Sequence, residues 1–458
     1  MQQLGYDAIM INSNPETLST DYDLSNKLFF EPITNEYVDN IIEKEKPYGV
    51  MIQFGGGTAI NLAEHLSKKG VKLLGCSYES INNAEDRKVF NTILNDLNIP
   101  QAKGTTVFTN KQAIEVANKL SYPVLVRPSY VLGGQGMAIA YNDKELTYYI
   151  DNINSTKQTN PILIDKYLKG IEYEIDAITD GEDILIPAIM EQIELSGVHS
   201  GDSICVLPTI HLDEINKKQI ITYAQKLAKQ LKIIGIFNIQ FVVYDKQVYV
   251  IEVNPRSSRT IPYVSKVTSI PIIDLAIDCI FGKKLSNLNY GTGLYKNGKL
   301  NYYGVKAPVF SFNKIKNSEV FLSPMMKSTG EVLGIDKNYH AAVLKAFASA
   351  GVNIENKTAI FISENRDNEF KNELVNKYKK AGFKIIEANS KEALTYVKQN
   401  KIGLLVNSMD EGKDFELRRT AIDYKITTFT SLYTADAYIG AVLFCNNKKI
   451  TIVDIVNL

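Results

Sequence analysis

The stretch "FVVYDKQVYVIEVNPRSSR" sets Glu252 and Asn254 two residues apart in a run with strand periodicity, so both side chains leave one face. A carboxylate beside an amide carbonyl suits a hard cation, Mg2+ or Mn2+, that bridges nucleotide phosphates. Gln240 joins them if the hairpin register permits. A three-residue loop at 245–247 pairs Tyr244 with Val248 and therefore Gln240 with Glu252, whereas an even-numbered loop turns Gln240 to the other face. The odd loop is the expectation. Taken alone, Glu252 and Asn254 also fit a solvated strand edge. Just beyond them, Arg256 and Arg259 offer planar forks for anionic oxygens, although such a pair is equally common in surface ion pairs.

A second cluster lies upstream in "RPSYVLGGQGMAIAY". Arg127 interrupts the apolar run "VLVRPS", where a charge must be paired or must hold a ligand. Gly133, Gly134 and Gly136 then permit a tight bend with uncovered amides, as a phosphate requires. A glycine run by itself is a turn; combined with Arg127 and the carboxylate–amide–arginine strand, it predicts a nucleotide site. In "DKYLKGIE", backbone groups near Lys166 and Leu168 are placed to meet an adenine edge, and Glu172 to accept from ribose hydroxyls. "SGVHSGDS" sets His199 among glycines and serines, a setting for ligand contact rather than core filling.

These residues need a scaffold. Residues 1–85 alternate strand and helix: "AIMIN", "EYVDNIIEKEK", "GVMIQFGG", "AINLAEHLSKKG" and "VKLLGC". This spacing predicts a parallel sheet. The chain opens on the tail of a helix where a strand normally comes first, so a preceding segment or a partner is expected to complete the domain. Residues 86–281 form an α+β region that includes "DILIPAIMEQIEL" as one long strand and ends in the hairpin above. Residues 282–355 read as a small connecting domain, and 356–458 return to α/β alternation as a doubly wound domain.

Composition bounds the partners. The 458 residues include 45% hydrophobic and 22% charged side chains, enough apolar material for large cores. Lys and Arg number 51 and so do Asp and Glu, which argues against a nucleic-acid partner. The cysteines Cys76, Cys205, Cys279 and Cys445 form no CxxC pair, as in a reduced, cytoplasmic protein. There is no apolar run of the roughly 18 residues that a membrane span needs.

"NSNPETLSTDYD", "NAEDRKVF", "RPSYVLGG", "SGVHSGDS" and "IEVNPRSSR" together resemble the large chain of carbamoyl phosphate synthetase, over nearly all 458 residues. "GVHSGDS" running into "VLPT", and the domain that follows, resemble its C-terminal half. The resemblance implies a truncated pre-ATP-grasp Rossmann-like domain, an ATP-grasp domain and a C-terminal domain like methylglyoxal synthase. It implies phosphorylation of carbamate by ATP, in support of pyrimidine or arginine synthesis. The alternative is a non-catalytic ATP-binding and interaction module left by truncation; another ATP-grasp carboxylase or ligase is a third reading. Gln240, Glu252 and Asn254 resemble the Mg2+ or Mn2+ ligands, with K+ a further candidate cofactor. Arg127 and Arg87 resemble the phosphate holders; Lys166, Leu168, Glu172, Gly197, Val198, His199 and Ser200 the nucleotide contacts. Arg256 and Arg259 resemble the pair that meets carbamate and the transferred phosphoryl, and Glu194, Asp202 and Glu331 the carboxylates of an amine effector site. The implied partners are the N-terminal half of the large chain and the glutaminase small chain, with room for an oligomer. Departures remain: the family's preceding glycine-rich segment with its arginine and the whole first half are absent, Gln135 stands where many relatives carry arginine, and "IIEANSKEAL" shortens the effector loop.

Overall fold

The computed structural model describes residues 1–128, 136–154, 161–295, 300–362, 368–409, 412–446 and 450–455. Gly133, Gly134 and Gln135 therefore lie outside the described residues; Gly136 lies within them at φ +74°.

At the front, β1 (Ile9–Ile11) and β2 (Lys27–Phe29) pair in parallel. The expected strands "GVMIQFGG" and "VKLLGC" reduce to one parallel bridge, Val50 with Leu73. Val50 receives from Leu74 N and donates to Lys72 O, but pairing goes no further, and the chain turns into a short helix, Gly56–Ile60. "AINLAEHLSKKG" accordingly splits in two, Gly56–Ile60 and Ala63–Lys68, before Gly70 closes it at φ +72°.

A small antiparallel sheet follows, built from β3 (Gly104–Val107), β4 (Val124–Pro128), β5 (Ala138–Ala140) and β6 (Ile162–Lys166) in the order β3-β6-β4-β5. Helices Asn110–Leu120 and Asp143–Asn154 cover one face, burying Ala113, Ala117, Leu146 and Ile150 against Val124, Val126 and Ile164.

The central sheet has nine strands: β7 (Ile171–Thr179), β8 (Ile184–Ile186), β9 (Ile189–Leu195), β10 (Cys205–Leu207), β11 (Gly235–Tyr244), β12 (Gln247–Asn254), β13 (Gly293–Leu294), β14 (Tyr303–Val309) and β15 (Gly330–Asp336). Its main path runs β12-β11-β7-β9-β10-β14-β15. "DILIPAIMEQIEL" breaks into β8 and β9 around Pro187, which has no N–H for a ladder. The segment 282–355 differs from the expected separate domain: β13, β14 and β15 extend this sheet. In β7, Tyr173, Ile175 and Ala177 join a large core with Phe237, Ile239, Phe241 and Val253, so alternation sends Glu172, Glu174 and Asp176 to the opposite face.

The last strands, β16 (Thr358–Ile362), β17 (Lys384–Ile386), β18 (Leu404–Asn407) and β19 (Thr427–Phe429), form a parallel sheet ordered β17-β16-β18-β19, the doubly wound arrangement expected. This unit shares a core with the central sheet: Val206, Val305 and Ala307 pack in one cluster with Phe347, Leu404, Tyr438 and Ile439. Among the described residues no helix is long and apolar enough to cross a membrane.

Candidate functional site

The hairpin β11–β12 brings Gln240 opposite Glu252 by a route other than the one expected. The turn has two residues, Asp245 and Lys246, both left-handed at φ 49° and 60°, with Tyr244 paired to Gln247. That is a primed turn, whose twist suits a hairpin. An even loop would turn Gln240 away, but a bulge corrects it: Phe241 pairs with Val250, Gln240 with Glu252, and Ile251 is the extra residue. The three-residue loop is thus replaced by a two-residue turn plus a bulge, and the pairing at Gln240 is the same.

β7 completes the wall. Across the three strands, Glu174 pairs with Gln240 and Gln240 with Glu252; one step along, Asp176 pairs with Asn238 and Asn238 with Asn254. Asn238 Nδ2 donates to Glu174 Oε1 at 2.7 Å and to Asp176 Oδ1 at 3.0 Å. Asn254 Nδ2 donates to Glu252 Oε1 at 2.8 Å, while its Oδ1 accepts from Arg256 Nη2 at 3.2 Å. Gln240 Nε2 donates to the Ser200 hydroxyl at 3.2 Å. Burial and the Glu174 charge push Glu172 up to about 8, opposed by the Gly197 N–H, with Glu252 adding further repulsion. Burial and Asp176 push Glu174 up to about 7, against Asn238 and Lys306. The charge of Glu252 reaches Glu85, Glu172, Glu174 and His199, which puts it at the focus of the acidic face.

A basic wall stands on the small sheet. Arg127 Nε donates to Asp165 Oδ2 at 2.8 Å, and Arg87 Nη2 donates to the same oxygen at 2.8 Å. Gly104 makes room for this carboxylate: a Cβ there would lie 1.8 Å from Asp165 Oδ1. The tetrapeptide Ala84–Arg87 links the walls. Glu85 feels both Arg256 and Glu252, while Asp86 caps the helix Arg87–Asp96 through Lys88 N and Val89 N and so fixes Arg87 at its first turn.

Gly197, at φ +100°, fits closely, since a Cβ would approach Ile139 Cδ1 to 2.6 Å. Gly197 and Val198 line a cavity of about 180 Å3 with Ile139, Tyr167, Phe321 and Tyr433. Leu168 is not among its lining residues; its carbonyl accepts from Gly170 N at 2.9 Å and from the Ser196 hydroxyl. Lys166 turns its ammonium to the Ser121 carbonyl at 2.8 Å. His199 Nδ1 accepts from Gly201 N at 3.0 Å, which assigns the proton to Nε2, and burial lowers its affinity for a second proton. Ser200 O accepts from the buried Lys306 ammonium at 3.1 Å. Arg259 Nη1 lies 3.3 Å from Met326 Sδ.

Of the three carboxylates expected at an effector site, two accept backbone hydrogen bonds. Glu194 accepts from Ile204 N at 2.8 Å and from the Thr434 hydroxyl at 2.6 Å, joining β9 to the last helix. Asp202 accepts from Lys327 N at 2.8 Å and Ser328 N at 2.9 Å. Glu331 is raised by burial, against the charges of Lys306 and Arg259.

Sequence reasoning missed Asp165, Glu174, Asp176, Asn238 and Lys306. The acids on "IEYEIDA" do alternate, so their shared face was readable; Asp165 and Lys306 acquire meaning only from strand neighbours. Among the described residues no group of three His, Cys, Asp or Glu forms a cation cage of its own. The oxygens of Gln240, Glu252 and Asn254 nonetheless match a hard cation that takes its other ligands from phosphate and water.

Residues 86–288 match the family model described as the carbamoyl-phosphate synthase L chain, ATP binding domain, and residues 1–83 match the carbamoyl phosphate synthase preATP-grasp domain. The carbamoyl phosphate synthase large chain of Lachnoclostridium phytofermentans is 45% identical over 486 residues, covering 100% of this chain and 45% of that one. That of Agathobacter rectalis is 46% identical over 480 residues, covering 98% and 45%. The chain thus spans a little under half the length of these relatives. Among solved structures, the biotin carboxylase domain of Hydrogenobacter thermophilus 2-oxoglutarate carboxylase, in complex with MgADP and bicarbonate, superposes with a TM-score of 0.59 at 16% identity over 75% of this chain and 83% of that one. N5-carboxyaminoimidazole ribonucleotide synthetase from Thermotoga maritima gives 0.56 at 13% identity over 77% and 93%. At these identities the likeness is one of fold. With the two domain models matching residues 1–83 and 86–288, and relatives 45% and 46% identical over 100% and 98% of its length, this chain belongs to the carbamoyl phosphate synthase large-chain family.

Proposed function

We propose that the chain transfers the γ-phosphoryl of ATP to carbamate, as the C-terminal synthetase half of a carbamoyl phosphate synthase large chain. The observation that carries this reading is the register Glu174–Gln240–Glu252 beside Asp176–Asn238–Asn254, an oxygen-rich face with Arg256 hydrogen-bonded to its edge. Gln240, Glu252 and Asn254 would hold Mg2+, which when bound neutralises charge on the β- and γ-phosphates. Arg127 and Arg87, fixed by Asp165, hold the phosphates from the opposite wall. The cavity at Gly197 and Val198 takes the base, and Glu172 the ribose. Arg256 and Arg259 orient carbamate so that its oxygen forms a bond to the γ-phosphorus as the bond to the bridging oxygen breaks, releasing ADP. The neutral His199 donates from Nε2 to a phosphate oxygen. The protein's contribution is position and charge, as is general for phosphoryl transfer.

In this reading carbamate is delivered by an N-terminal half whose ammonia comes from a glutaminase chain, and the C-terminal unit is a methylglyoxal-synthase-like effector domain. The second reading is a non-catalytic ATP-binding and interaction module of that enzyme. Purified chain supplied with carbamoyl phosphate and MgADP should form ATP, and Glu252→Gln should do so at least 100-fold more slowly. The forward assay with carbamate runs beside it. No turnover in either direction with MgADP binding intact would replace the first reading by the second.

A further inference from the structure

Arg256 sits on a loop whose flanks are both held by one buried residue of the front domain. Gln53 has no exposed surface. Its Nε2 donates to Pro255 O at 3.3 Å, Ile236 O at 3.0 Å and Cys76 Sγ at 3.1 Å, and its Oε1 accepts from Cys76 N at 3.3 Å. Its backbone carbonyl accepts from Ser257 N at 2.9 Å and from the Ser257 hydroxyl at 3.1 Å. Side chain and backbone therefore grip residues 255 and 257, on either side of Arg256. The socket is shaped for this amide. A Cβ at Gly75 would lie 1.9 Å from Gln53 Oε1, and one at Gly235 3.0 Å from it. Ile236 is the second residue of β11, the strand that carries Asn238 and Gln240, so the same amide also ties the start of the acidic face to the arginine loop. A buried amide with this many partners is worth most where it fixes one geometry, because each group left unpaired is costly.

We infer that Gln53 is a positioning residue for Arg256, setting where its guanidinium meets the anionic co-substrate; the inference rests on the functional reading above. The front domain then contributes to phosphoryl transfer through this residue.

The test is the steady-state rate of ATP formation by the full chain, reading the KM for carbamoyl phosphate and for MgADP. Gln53→Met, close in volume but without the amide, should raise the KM for carbamoyl phosphate about tenfold and leave that for MgADP within twofold. In an Arg256→Ala background the same substitution should add less than twofold, because the group it positions is gone. Ser257→Ala removes one of these bonds and should shift the KM for carbamoyl phosphate two- to threefold in the same direction; it decides the matter if Gln53→Met does not fold. An equal rise in the KM for MgADP, or full additivity with Arg256→Ala, would show general loosening and overturn the inference alone. Wild type that binds MgADP but forms no ATP would overturn the functional reading and this inference with it.

Discussion

The two walls of the site solve opposite electrostatic problems. On the small sheet, Arg87 and Arg127 converge on one oxygen of Asp165, so the two cations share one counter-charge before any ligand arrives. On the central sheet, Glu172, Glu174 and Asp176 are buried beside one another, with amides and hydroxyls as their direct hydrogen-bond partners. Their carboxyls are pushed up by burial, and Glu174 also by its neighbour. A paired wall is preorganised and loses stability when a partner is removed; a wall of like charge is strained and gains when a charge is removed. The basic wall therefore holds its arginines still, and in the proposed reading the acidic wall attracts a cation with nucleotide.

Several substitutions separate the walls. Asp165→Ala leaves two guanidiniums without their shared carboxylate and should lower unfolding free energy by about 3–5 kcal/mol, read by denaturant titration. MgADP affinity should fall with it, and Asp165→Asn should fall between the two. Gly104→Ala drives a Cβ against Asp165 Oδ1 and should cost about 1–3 kcal/mol by displacing the clamp while leaving every charge present.

Glu172→Gln should act in the opposite direction. An acid whose folded pKa is raised carries no penalty below its unfolded value near 4.5 and the full penalty above about 8. Thermal unfolding of Glu172→Gln should match wild type near pH 4.5 and show a gain on the order of 2 kcal/mol at pH 8.5. A variant less stable than wild type at pH 8.5 would contradict the strained-wall description. Thr260→Val is the smallest expected change. It removes the hydroxyl donated to Asp176 and should cost about 1 kcal/mol, with the deficit growing as pH rises and Asp176 ionises.

Much of this was legible in the chain and some was reached by the wrong route. Alternation along "IEVN" and "IEYEIDA" fixes which side chains share a face whatever the partner strand, so Glu252 with Asn254 is a local fact. Opposition of Gln240 to Glu252 is not local. It depends on a turn of Asp245–Lys246, which lacks the glycine or asparagine that usually signals left-handed backbone, and on a bulge at Ile251 that no residue type announces. The two errors cancel because both shift the register by one. The split at Pro187 was readable from its missing N–H. Annexation of residues 293–336 by the central sheet was not, since edge pairing is decided between distant strands.

By itself, the sequence determined local quantities: the strand faces of the acids and motifs dense enough to place the family. Tertiary structure alone decided which charges meet. Asp165 becomes the anchor of two arginines 78 and 38 residues away, and Gln53 reaches Pro255 across 202 residues. The physical reason is that a hydrogen bond is worth making in the interior only where its partner has already been brought, and burial, not sequence distance, brings it.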